Sequence, residues 1–140
     1  MIVLDTNVVS ELARSAPDPR VAAWAAQQDL ARVVITVVTE AELRAGIAMM
    51  PEGRRRTEVE QAVMGIIEQA LRGRVLPLDR AAAPYFAAFR SLRRAAGRTI
   101  DAADALIAAT ARAHNATAIA TRDLSGFEGC GVPLVDPWAA

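Results

Sequence analysis

The first five residues set the strongest constraint on the fold. Met1 to Leu4 is an unbroken aliphatic run without polar alternation, the pattern of a strand buried on both faces, and it ends on an acid, Asp5. Similar runs recur along the chain. Arg32 to Thr36 is β-branched and precedes an alanine-rich helix that begins at Thr39, carries Leu43, Ile47 and Met50 at helical spacing, and stops at Pro51 and Gly53. Val75 to Leu78, interrupted by Pro77, precedes a long helix capped by Asp79 and running through Tyr85, Phe86, Phe89 and Leu92 to Gly97. Ala118 to Ala120 and Val132 to Val135 complete the series, after a helix over Asp101 to His114. Strands separated by helices cannot be hairpins, so they predict a mostly parallel α/β sheet covered on both faces.

Three further helices fill the gaps. Asn7 or Thr6 is placed to cap the first, which Pro17 and Pro19 break; Val21 to Ala26, with Trp24, reads as a short second. Thr57 with Glu60 has the form of a capping box, opening an amphipathic helix through Val59, Val63, Ile66, Ile67 and Leu71 that ends at Gly73. The apolar faces of Val21 to Ala26 and of this helix exceed what a small monomer needs, which suggests a homodimer or a groove for a partner.

A chain of 140 residues suffices for one core and is short for two. The single cysteine, Cys130, has no internal partner, and neither a basic leader nor a membrane-length apolar run is present, so a reducing, cytoplasmic setting without membrane attachment is expected. Sixteen basic and sixteen acidic residues cancel, so no net positive field marks a nucleic-acid binder. Every basic residue is arginine, which excludes phosphate sites built on a lysine ammonium.

Chemistry is concentrated in the acids. Ligands of open α/β sheets bind beyond the carboxyl ends of the strands. Four acids comply: Asp5 ends the first strand, Glu42 lies early in the helix after the second, Asp104 sits in the first turns of a late helix, and Asp123 follows the fourth strand. Clustered carboxylates repel and lose hydration, a conflict that a cation resolves; oxygen ligands without histidine or cysteine favour magnesium, or manganese, over zinc. Such an ion keeps waters, one of which can be made nucleophilic towards a phosphate. Each acid also has a plainer reading: Asp5 as a helix cap, Glu42 as a solvated helix residue, Asp104 as a cap or exposed acid, and Asp123 as an ion pair with Arg122.

At these residues the chain resembles the PIN-domain family, especially the VapC-like and FitB-like toxins of bacterial toxin-antitoxin pairs. The resemblance is carried by MIVLDTNVVSE, ITVVTEAELRAG, IDAADALIAATA, ATRDLSGF and the final DPW, and spans nearly the whole chain. It implies a single PIN domain over residues 1–140, a five-stranded parallel sheet, and metal-dependent endoribonuclease activity. It assigns metal binding to Asp5, Glu42, Asp104 and Asp123, with Asn7 and Thr121 in support. It further implies dimerisation and inhibition by a cognate VapB-like antitoxin, through which any DNA contact would run.

Two neighbouring acids compete with this set. Glu40 is two residues from Glu42, about 200° around a helix, so both cannot face one ion, and Glu40 is placed outward. Asp101 shares a face with Asp104 and could cap that helix or bind a second metal through water. Arg122, beside Asp123, is the candidate for gripping a substrate phosphate. Arg54 to Arg56 read as a solvated loop, Arg90, Arg93 and Arg94 as a helix face opposite the aromatic one, and His114 as a C-terminal helix residue without a catalytic role. Trp24, Trp138, Phe86 and Phe89 read as core or interface anchors. Two other classes remain: an aspartate-nucleophile phosphatase, disfavoured by Asn7 and the missing lysine, and a non-catalytic receiver-like binding module.

Overall fold

Five short strands form one all-parallel sheet in the computed structural model, which describes every residue from Met1 to Ala140. β1 (Ile2–Leu4), β2 (Val33–Thr36), β3 (Val75–Leu76), β4 (Ala118–Ala120) and β5 (Leu134–Val135) lie in the order β3-β2-β1-β4-β5. The chain thus winds outward from β1 through β2 to β3, then returns to the other side of β1 for β4 and β5. That reversal opens a crevice beyond the carboxyl ends of β1 and β4, where connections diverge to opposite sides. The register pairs Leu4 with Ala120, so Asp5 and Thr121 leave the sheet as neighbours.

Strand side chains alternate between two cores. Leu4, Val33, Ile35 and Ala120 pack with α1 (Thr6–Leu12), α2 (Pro19–Ala26), α3 (Val37–Ala48) and α4 (Arg54–Met64), the last prolonged by a π-helical segment over Gly65–Ala70. Val3, Val34 and Ile119 pack with α5 (Ala83–Ala95), α6 (Ala102–Ala113) and α7 (Leu124–Phe127). Alanines keep α6 slim enough to lie close against its neighbours: Ala105, Ala108, Ala109 and Ala111 are all buried. Phe127 is fully buried, worth roughly 2–3 kcal/mol, which pins a four-residue helix too short to persist alone and fixes the loop before it. No helix is long and apolar enough to cross a membrane.

Element boundaries depart from the expected ones for local reasons. Asp5, not Asn7 or Thr6, caps α1, its Oδ1 accepting from the Thr6 N–H at 2.7 Å. α3 starts two residues early because the Thr36 hydroxyl caps it, accepting from Thr39 N–H. The Thr57–Glu60 box does not form. Gly53, at φ +147°, takes a conformation open to glycine and lets the helix begin at Arg54, while the Thr57 hydroxyl donates back to the Gly53 carbonyl at 3.2 Å. Arg54 to Arg56 are therefore a first helical turn, not a loop. Asp79 caps a 3₁₀ turn, Arg80–Ala82, that feeds α5. Pro77 and Pro133, which lack an N–H, flank strands of only two residues.

The side chains correct two further expectations. Arg93 is not on an exposed face: it is buried, with its guanidinium donating to the carbonyls of Ser125, Glu128 and Thr99 at 2.8–3.2 Å. The apolar surplus of α2 and α4 is absorbed by the first core, where Val21, Trp24, Val63, Ile67 and Leu71 are buried together. Large apolar side chains left exposed lie elsewhere, with Tyr85 and Leu92 on α5 and Met49 at the end of α3.

Candidate active site

Asp5, Glu42, Asp104 and Asp123 line one open cleft of about 660 Å³ at the crevice between β1 and β4. Each arrives from a different element: Asp5 from the end of β1, Glu42 from the second turn of α3, Asp104 from the first turn of α6, and Asp123 from the loop after β4. Asn7 and Arg122 line the same cleft. Asp101 does not. It caps α6, its Oδ1 accepting from the N–H groups of Ala103 and Asp104 at 2.8 and 3.3 Å. Glu40 turns away as the helical rotation requires, and pairs with Arg44 at 2.7 Å.

Two threonines organise the carboxylates. Thr121, fully buried, donates its hydroxyl to Asp5 Oδ2 at 2.7 Å and accepts from the Asp123 N–H at 3.0 Å, tying the ends of the two central strands together. Thr6 donates its hydroxyl to Glu42 Oε1 at 2.6 Å while its N–H holds Asp5 Oδ1. Both Asp5 oxygens are thus oriented, each with capacity left for another partner. Thr6 has no place in the expected site. Its signal was its position directly after Asp5, where a hydroxyl at the head of a helix beside a strand end can reach across the crevice.

Asp123 spends Oδ1 on the start of α7, accepting from the Gly126 N–H at 3.0 Å and the Ser125 hydroxyl at 3.2 Å, and makes no ion pair with Arg122. Arg122 instead lies over the indole of Trp138, its Cζ 5.0 Å from the ring centre, and its N–H reaches Asn7 Oδ1 at 3.4 Å. Trp138 packs into the first core, as expected of an anchor, yet also lines the cleft.

Crowding of acids governs the electrostatics. Burial pushes the Asp5 carboxyl above its ordinary value; the Thr121 and Thr6 hydrogen bonds oppose this, and the charges of Glu42 and Asp123 reinforce it. Asp104 is pushed up to about 7, first by desolvation and then by the charges of Asp5, Asp101, Glu42 and Asp123, with no hydrogen bond to offset them. As they stand, no three of these carboxylates come close enough together to hold a metal ion. The donor set is oxygen only, with neither histidine nor cysteine among the lining residues. Asp5, Glu11, Glu42, Asp104 and Asp123 face Arg14, Arg55 and Arg122, leaving two negative charges at full ionisation, the deficit of one divalent cation.

The chain is similar to known proteins along nearly its whole length. A family model described as PIN domain matches residues 2–128. The chain is 45% identical over 138 residues to the VapC ribonuclease Y4jK of Sinorhizobium fredii, covering 99% of this chain and 98% of that protein. It is 40% identical over 138 residues to toxin FitB of Neisseria gonorrhoeae, covering 99% of each. Among solved structures, FitAB bound to an IR36 DNA fragment superposes with a TM-score of 0.88 at 38% identity, over 99% of this chain and 96% of that one.

Proposed function

The chain belongs to the PIN-domain family, and from that premise we propose that it is the toxin of a type II toxin-antitoxin pair, a magnesium-dependent endoribonuclease that hydrolyses RNA phosphodiester bonds. The observation that carries the reading is Asp104: a carboxylate pushed to about 7, first by burial and then by the charges of Asp5, Asp101, Glu42 and Asp123, without a hydrogen bond to offset them, in a cleft at the switch point of a parallel sheet. Support for RNA as the substrate comes from the relative named a ribonuclease, and for the toxin role from the relative named FitB.

Asp5, Glu42, Asp104 and Asp123 would hold the ion, with manganese an acceptable substitute. When bound, the ion supplies an acidified water as nucleophile and offsets charge growing on the phosphate and the leaving oxygen. The protein's own contribution is orientation. Thr6 and Thr121 fix both Asp5 oxygens, Thr6 also steers Glu42, and Asn7 holds the backbone that carries Arg122. The same reading includes a cytoplasmic setting, a homodimer for which exposed Tyr85 and Leu92 on α5 offer apolar surface, and a cognate antitoxin that brings any DNA contact.

The test is cleavage of total RNA by the purified chain, with sequencing of the cut ends. Asp5→Asn and Asp123→Asn are expected to abolish cleavage while leaving the circular dichroism spectrum intact, and excess chelator to do the same. Full activity in either variant, or in chelator, would overturn the metal mechanism.

A further inference from the structure

We propose that Arg122, braced on Trp138, is a phosphate-binding subsite of the cleft, gripping an RNA backbone phosphate beside the one being cut. The inference rests on the ribonuclease reading and assigns the residue that holds the substrate. A cleft with more carboxylates than guanidiniums repels a polyanion, and one divalent ion offsets only the charge of the protein itself. Each substrate phosphate then needs a cation of its own.

Three arginines line the cleft, and they differ in what they have left to give. Arg14 is paired with Glu11 at 3.1 Å. Arg55 lies at the exposed start of α4 with nothing to hold its long side chain in one place. Arg122 takes part in none of the molecule's five ion pairs and its guanidinium makes no hydrogen bond, although Asp123 is its neighbour in sequence. Oδ1 of that neighbour is turned to α7, where it accepts from the Gly126 N–H and the Ser125 hydroxyl.

The stack on Trp138 makes those unspent donors useful. An aromatic ring engages a guanidinium through its face, which leaves the N–H fork at the edge free for two parallel bonds to phosphate oxygens. Holding the side chain in place beforehand also reduces the rotamer entropy lost on binding. Trp138 is itself held in place: its side chain is buried in the first core and its backbone N–H donates to Asp136 Oδ1 at 2.9 Å. Trp138 is therefore a positioning residue acting through Arg122.

The experiment measures binding of a fluorescein-labelled, mixed-sequence 12-nucleotide RNA to the full chain by anisotropy across a salt series, in an Asp104→Asn background that prevents cleavage. Arg122→Ala should weaken binding about tenfold and flatten the log–log salt dependence by about 0.7, the loss of one phosphate contact on a single strand. Trp138→Phe, which keeps an aromatic face, should stay within about twofold of the parent. Trp138→Leu should match Arg122→Ala and add nothing further when combined with it. In otherwise wild-type protein, Arg122→Ala should raise KM for RNA cleavage with kcat little changed. Parental affinity and salt slope in Arg122→Ala overturn the inference, and an additional loss from Trp138→Leu on top of Arg122→Ala overturns the brace. If the wild-type chain cleaves RNA and Arg122→Ala keeps its KM, this inference alone fails; if the wild-type chain neither binds nor cleaves RNA, the ribonuclease reading fails and takes the inference with it.

Discussion

Replacing Asp104 by asparagine should make the metal-free protein more stable, not less. The Asp104 carboxyl is raised from 3.8 to about 7 in the folded chain, so the fold binds its proton more tightly than the unfolded chain does. Stability from this group is therefore greatest at low pH, falls as pH rises between 3.8 and about 7, and is fully lost above that window. The full displacement corresponds to ~4 kcal/mol at about 1.36 kcal/mol per unit. Solvent screening at a half-buried side chain reduces it to about 2 kcal/mol. Asparagine keeps the shape and removes the charge, so Asp104→Asn in chelator at pH 8 should raise Tm by about 7 °C for a domain of this size. At pH 5, where the native carboxyl already carries its proton, the gain should shrink to roughly two-fifths of that. Thermal melts followed by circular dichroism, in chelator and then across a magnesium titration, measure both effects. Magnesium should stabilise the wild type and have little effect on the variant. A variant that melts at or below the wild-type temperature in chelator at pH 8 would refute the reasoning from crowded carboxylates. Equal magnesium stabilisation of both proteins would remove Asp104 from the ligand set.

Other perturbations probe the supports of the site. Thr121→Val removes the buried donor to Asp5 and the acceptor for Asp123 N–H; denaturant unfolding should show a loss of roughly 1–3 kcal/mol, and calorimetry should show weakened magnesium binding. Gly126→Ala places a methyl against the Asp123 carboxylate, so RNA cleavage should fall at least about tenfold for a stability cost of roughly 1–3 kcal/mol; wild-type kcat/KM in this variant would show that the position of Asp123 is immaterial. Arg93→Ala strips donors from three carbonyls around α7 and should cost roughly 2–4 kcal/mol, with the magnesium affinity of the folded fraction unchanged. Magnesium affinity itself should decline as pH falls through about 7, because Asp104 must give up its proton to bind; a flat calorimetric profile from pH 8 to 5 would contradict a carboxylate site.

The sequence by itself determined the order of the strands and of every helix but the short α7, the parallel sheet and the four acids at its carboxyl edge. Those features are local: a buried strand needs a short aliphatic run, a helix needs a 3.6-residue period, and an acid just past a strand end must emerge at the sheet's edge. The choice between Glu42 and Glu40 was equally legible, because two residues of helix turn a side chain to the far face. Helix starts were less so. At Gly53 and Thr57 two capping arrangements competed, and a glycine backbone conformation decided between them.

Only the tertiary structure decided what each polar side chain does once delivered. Thr121 meets Asp5 across 116 positions because β4 was laid beside β1, and Thr6 meets Glu42 because α1 and α3 cover the same face. Arg93, which its helix face marks as solvent-exposed, is buried because α7 and the loops beside it close over it with three carbonyls in need of donors. Arg122 was legible as a cation beside a ligand, but its release from Asp123 and its seat on Trp138 depend on a cap and on a C-terminal segment that returns to the crevice. Periodicity specifies which face a residue occupies. Partners across that face are set by strand order and by hydrogen-bond competition among groups far apart in the chain, and neither is written in any local window of sequence.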